Sequence, residues 1–190
     1  MNYEIYKKVR NASWKCLIDC KINSLPTKLS DICEHFDIRI IQNNGLKTHQ
    51  LRDNERGKTA IFQNKFVIII RDTDPIPVQR YTISHEIGHI LMGKSVSERE
   101  AERFAIGILA PACVLWGLDL HKPEEIANLC NISITSATIR AERMSLLYKR
   151  EQEFLKTRER SCFLQSPLER KVYEQFLPFI KEQQRKKEGI

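Results

Sequence analysis

Ile83-Ser84-His85-Glu86-Ile87-Gly88-His89-Ile90-Leu91 is the stretch on which the reading of this chain turns. It holds the pattern H-E-x-x-H inside a segment whose composition predicts a helix. An α-helix turns once in about 3.6 residues, so His85 and His89 project from one face, one turn apart. Two imidazoles at that spacing reach one Zn²⁺ with bonds of about 2.0–2.1 Å. Glu86 follows the first His and leans toward the open side of such a metal, where a general base belongs. Ile83, Ile87, Ile90 and Leu91 are apolar, so the helix is expected to be largely buried. A buried His or Glu needs a partner, because an unpaired polar group in a core costs several kcal/mol. One cation would satisfy all three.

A catalytic zinc site usually takes three protein ligands and keeps a fourth position for water. The chain has five histidines, His35, His49, His85, His89 and His121. The better third candidate is acidic and lies just downstream, in Ser97-Glu98-Arg99-Glu100-Ala101-Glu102-Arg103-Phe104-Ala105. Gly93-Lys94 offers a turn with a glycine C-cap. A second helix is expected from Ser95 or Ser97 to about Leu109, antiparallel to the first. Glu98 in its first turn can face back to His89, and Glu102 lies one turn on, on the same side. Capping accounts for Glu100, since Ser97-x-x-Glu100 fits the capping box. Glu98 is favoured as the third ligand over a second such box with Ser95. Glu102 is the alternative ligand, or an acceptor for a ring N–H of one His.

The run Tyr81-Thr82-Ile83-Ser84-His85-Glu86-Ile87-Gly88-His89, followed by Glu98-x-Glu100-Ala101-x-x-Phe104-Ala105-x-x-x-Leu109-x-Pro111, resembles the ImmA/IrrE metallopeptidase family. Leu25-Pro26 with Leu29-x-x-Ile32-Cys33 and Ile38-x-Ile40 is similar to that family's N-terminal region. Ile132-Ser133-x-x-x-Ala137-x-x-Arg140 is similar to one of its later helices. The resemblance covers most of residues 1–148. It implies an α+β, zincin-like fold, mostly helical, with a small twisted β-sheet packed on the H-E-x-x-H helix. It implies His85, His89 and Glu98 as metal ligands and Glu86 as the catalytic acid/base. Ser84 stands where the family has Ala, and Glu102 where it has Asn or Asp. The family includes peptidases that inactivate a repressor of a mobile genetic element, others that act in stress responses, and relatives without shown peptidase activity.

The chemistry that follows is metal-assisted hydrolysis. Zinc lowers the pKa of bound water to about 7, and Glu86 would pass the water proton to the leaving amine. Tyr81, one turn before His85, is a weak candidate for an oxyanion donor and is better read as a core aromatic.

The rest of the chain fits a domain of this kind. Its 190 residues suffice for one domain with a core and an appendage. No apolar run reaches about 18 residues, so no membrane span is expected. The start, Met1-Asn2-Tyr3-Glu4-Ile5-Tyr6-Lys7, lacks the apolar core of a secretory signal, and the expected location is the cytoplasm. Six cysteines show no C-x-x-C, and Cys16 and Cys20 read as small apolar residues of an N-terminal helix.

Helices are expected over Tyr3 to about Lys21 and Lys28 to Phe36, and a strand over Ile38-Arg39-Ile40-Ile41. Asn43-Asn44-Gly45 marks a turn and residues 46–58 a loop. Thr59-Ala60-Ile61-Phe62 and Phe66-Val67-Ile68-Ile69-Ile70 flank Gln63-Asn64-Lys65 as a hairpin. Its second strand is apolar without alternation and should be buried on both faces. Such a sheet can offer an edge to an extended peptide.

The net charge is +7, and residues 149–190 carry eleven Lys/Arg against seven Asp/Glu. This basic helical extension, broken near Ser166-Pro167 and Pro178, reads as a solvated face or a docking surface. Residues 123–148 look like a helix-turn-helix with Ile132-Ser133 in the turn, which would present Thr135, Ser136 and Arg140 outward to a DNA groove. Two helices closing the peptidase domain are the favoured reading of that segment.

Three functions remain in view. The leading one is a zinc endopeptidase acting on a protein substrate, a repressor or other transcriptional regulator. The second is an inactive zincin-fold binding or sensor module. The third is a DNA-binding regulator, with nucleic acid held through 123–144 or the basic tail.

Overall fold

A computed structural model describes residues 3–43, 51–52, 54–93, 95–158, 161 and 163–189. The turn expected at Asn43-Asn44-Gly45, part of the loop expected at 46–58, Lys94, His49 and Cys162 lie wholly or partly outside the described residues, and the last two residues of that loop, Gly57 and Lys58, are strand instead. The elements are α1 (Tyr3–Asp19), α2 (Leu29–His35), β1 (Arg39–Gln42), β2 (Gly57–Phe62), β3 (Lys65–Ile70), α3 (Ile76–Met92), α4 (Glu98–Leu109), α5 (Ala112–Gly117), α6 (Pro123–Cys130), α7 (Ile134–Arg158) and α8 (Pro167–Glu188). The architecture is α+β, with helices predominating over one small mixed sheet.

The sheet has the order β1-β3-β2, with β1 parallel and β2 antiparallel to β3. β3 is central and lies under apolar cover on both sides, as its unbroken apolar run requires. Ile68 and Ile70 join the main core, while Val67 and Ile69 pack with Leu51 on the opposite face. The β2–β3 link is a two-residue turn, tighter than the three residues expected. Gln63 and Asn64 both adopt left-handed backbone at φ 48° and 62°, as a tight hairpin demands. Lys65 therefore already pairs with Phe62.

Pro75 precedes α3 and Pro77 sits in its first turn, where a missing N–H costs nothing. Thr82, Ile83, Ser84, Ile87 and Gly88 are its buried residues. Gly88 lets α4 come close: a β-carbon there would stand 3.3 Å from the Ala101 Cα and 3.2 Å from the Phe104 ring. α4 begins one residue after Ser97, whose N–H and hydroxyl both donate to the Glu100 carboxylate, at 3.0 and 2.6 Å. Capping thus occupies Glu100, as its position in the sequence implies.

Arg80 of α3 anchors two distant connections, donating to the Thr27 carbonyl at 2.9 Å and the Asn131 carbonyl at 3.1 Å. Asn131 caps α6 in left-handed backbone and leads through Ile132-Ser133 into α7. Ile126, Cys130, Ile132, Ala137, Ala141 and Met144 of this helix pair are buried in the main core. The outward placement that a DNA-reading helix-turn-helix would give Arg140 is corrected: its Nη2 donates inward to the Ile106 carbonyl of α4 at 2.9 Å. That carbonyl, in the last turn of α4, also accepts from the Ala110 N–H at 3.0 Å, and Arg140 takes up its second acceptor position.

The break expected at Pro178 is also corrected, because Pro178 lies inside a continuous α8. The proline is exposed, so water can serve the carbonyl it leaves without an N–H partner. Val172, Phe176, Phe179 and Ile180 bury the other face of α8 in the main core, and α8 packs on α1 and α5. Gln175 adds donations to the Leu17 and Ile22 carbonyls, at 2.9 and 2.5 Å. No helix among the described residues is long and apolar enough to cross a membrane.

Candidate metal centre

The helical pitch of α3 stacks His85 and His89, and their Nε2 atoms lie 3.1 Å apart. Glu98 is the first residue of α4, and the antiparallel α3–α4 pairing swings it over both rings. Its Oε2 is 3.0 Å from His85 Nε2, and its Oε1 is 3.4 Å from His89 Nε2. The imidazoles are mostly enclosed, at 15% and 23% side-chain exposure, while Glu98 is 80% exposed. The cluster therefore sits at the rim of the fold, with α3 as its floor and solvent at its mouth.

Three donor groups, two imidazole nitrogens and a carboxylate with both oxygens near them, at 3.0–3.4 Å match what one small cation requires. A tetrahedral ion with bonds of about 2.0–2.1 Å holds its donors about 3.3–3.4 Å apart. The donor chemistry agrees as well. A neutral imidazole has one N–H, and a carboxylate has none, so three converging lone pairs call for protons or a cation between them. Two imidazoles and a carboxylate suit zinc and several neighbouring transition ions. Among the described residues, His85, His89 and Glu98 form the one group of this kind.

Glu102, the alternative ligand, is not in that group. One turn further along α4, it lines a different cleft together with Tyr81. Tyr81 packs beside the main core, and its ring centre stands 6.4 Å from that of His85. Burial, with the Glu102 charge adding to it, pushes the Tyr81 phenol up to about 12. Tyr81 thus stays a neutral hydroxyl at physiological pH.

Glu86 lies next to the cluster, half-buried, and its Oε2 accepts a 2.7 Å hydrogen bond from the Thr59 hydroxyl of β2. Nothing in the sequence pointed to Thr59, because the contact joins a strand to a helix 27 residues away. β2 can run so close to α3 because of Gly57. A β-carbon there would come within 2.3 Å of the Thr82 side chain and 3.1 Å of the Ile69 carbonyl. β2 is an edge strand of the sheet, and it borders the cleft that contains His85, Glu86, His89 and Glu98. Ile61 and Phe66 add apolar surface to that cleft, which has a volume of about 680 Å³.

The chain matches the family Peptidase_M78, described as the IrrE N-terminal-like domain, over residues 33–140. That span runs from α2 into the first turns of α7 and encloses the whole cluster. No curated protein matches the chain.

Proposed function

The chain belongs to the IrrE N-terminal-like peptidase family, and from that premise we propose that it is a zinc-dependent endopeptidase that cuts a regulatory protein. The observation that carries the reading is the convergence of His85, His89 and Glu98 on one point, beside Glu86 and an edge strand. His85, His89 and Glu98 would hold the ion. When bound, zinc supplies Lewis acidity, making water a better acid and a carbonyl a better electrophile.

The protein's own groups do the rest. With Oε2 held by Thr59, Glu86 has Oε1 free to take a proton from the attacking water. The same carboxyl then returns the proton to the departing amine, so one residue serves as base and acid. The outer edge of β2 offers main-chain groups to an extended peptide, which would align the scissile bond across the cleft. Ile61 and Phe66 favour apolar side chains beside that bond. The substrate we favour is a repressor, of a mobile genetic element or of a stress response, with the reaction in the cytoplasm. This choice rests on the family resemblance.

The test is incubation of zinc-loaded protein with any repressor that a neighbouring reading frame encodes, with cleavage as the expected result. Glu86→Gln should retain metal and lose about 10²–10⁴-fold in rate, the usual worth of a general base. Undiminished cleavage by that variant would refute the assignment.

A further inference from the structure

Further along α4 from the metal cluster, α1, α4 and α7 line a second cleft of about 780 Å³. Six arginines line it: Arg10, Arg99, Arg103, Arg140, Arg143 and Arg150. Two carboxylates, Glu102 and Glu169, face them. Among the described residues, none of the six arginines is within ion-pair distance of an acid.

The guanidinium groups meet aromatic rings instead, Arg10 over Trp14 at 4.5 Å and Arg150 over Phe154 at 5.2 Å, and three of them share one further ring. Those of Arg10, Arg103 and Arg143 stand 5.9, 5.7 and 5.5 Å from the centre of the Tyr6 ring. One ring face attracts a cation but cannot neutralise three. Hydrogen bonding is incomplete too. The buried Nε atoms of Arg10 and Arg140 have no acceptor, although Arg140 Nη2 reaches the Ile106 carbonyl. A folded protein seldom leaves such donors bare in a site this rich in like charge. An anion with several acceptor oxygens would satisfy such donors.

We infer that this cleft is a binding site for a small phosphate-bearing ligand of about nucleotide size. Guanidinium groups meet phosphate oxygens in paired, coplanar hydrogen bonds, which explains why all six cations are arginine and none lysine. The volume falls within the range of small-molecule pockets, about 300–1,000 Å³. Tyr3, on the rim and exposed, offers a ring face for a flat base. The site is independent of the peptidase reading, although α4 joins them: Glu98 faces the metal cluster while Arg99 and Arg103 face the arginine cleft.

The experiment is isothermal titration of the purified full-length chain with adenosine monophosphate and with inorganic phosphate at physiological ionic strength. We expect saturable one-to-one binding of adenosine monophosphate, displaced by excess phosphate. Tighter binding of the nucleotide than of phosphate would mean that the base is also held; equal binding would mean that phosphate alone is read. Arg140→Gln and Arg143→Gln should each weaken binding at least tenfold, while Arg39→Gln on β1 leaves it unchanged. Arg143 is exposed, so its variant carries the test should Arg140→Gln fail to fold by circular dichroism. Absence of saturable binding, or full affinity in Arg143→Gln, would overturn the inference. So would a single-stranded oligonucleotide that displaces the nucleotide and binds more tightly, since the cleft would then be a nucleic-acid groove.

Discussion

Glu86 does not stand alone beside the histidines. The Thr59 hydroxyl holds one of its oxygens at 2.7 Å, which fixes the direction in which the other can take a proton. Thr59→Val keeps the shape of the side chain and removes the donor. A hydrogen bond to a charged group contributes about 1.5–3 kcal/mol, so kcat should fall by tenfold or more. KM should hold, because Thr59 touches Glu86 rather than the peptide; Thr59→Ser should recover most of the rate. A parallel rise in KM would mean that Thr59 binds substrate instead. At this scale the sequence is uneven in what it discloses. His85, Glu86 and His89 are legible because helical pitch fixes their relation. Glu98 and Glu102 are not separable, since both lie on one side of a helix and only the angle between α3 and α4 distinguishes them. That angle brings Glu98 to the imidazoles and leaves Glu102 facing the arginine cleft.

At the level of elements, strong local signals read through. The Ser97–Glu100 box marks the start of α4, and the apolar run of β3 marks a strand covered on both faces. What escapes is any feature set by a neighbour. Pro178 ends a helix by local rules, yet α8 continues because its opposite face is buried. Arg140 would face outward in a DNA-reading helix-turn-helix, yet α7 turns it toward the end of α4. Gly57 belongs to this class as well. Its lack of a side chain keeps β2 against α3, and so keeps Thr59 within reach of Glu86. Gly57→Ala should destabilise the fold by about 1–3 kcal/mol, as overpacking does. It should also lower peptidase activity more than the loss of folded protein accounts for. Urea denaturation followed by tryptophan fluorescence, with activity measured on the folded fraction, would check both. Unchanged stability and activity would show that the strand does not need this approach.

Taken whole, the molecule is held by one core that reaches from α1 to α8. The basic charge of residues 149–190 suggests a solvated appendage, and among the described side chains its lysines and arginines are exposed, while Glu151 is buried and Glu169 half-buried. Their interleaving hides the apolar stripe Val172, Phe176, Phe179 and Ile180, which belongs to that core. Phe176 is fully buried, and Phe176→Ala should cost about 3–5 kcal/mol of global stability in urea or thermal melts. A cost below about 1 kcal/mol, or a separate early transition, would mean that α8 is dispensable to the domain. The arginine cleft is illegible for the same long-range reason. Its cations come from three helices, and only the tertiary fold reveals them as one wall.

The central claim is that His85, His89 and Glu98 together grip one cation. Metal content of the purified protein by mass spectrometry addresses it most directly, with His85→Ala and Glu98→Ala prepared in parallel. The account predicts about one zinc per chain in the wild type and a large loss in both variants, each still folded by circular dichroism. Wild-type protein without bound metal, or variants that keep a full complement, would contradict it.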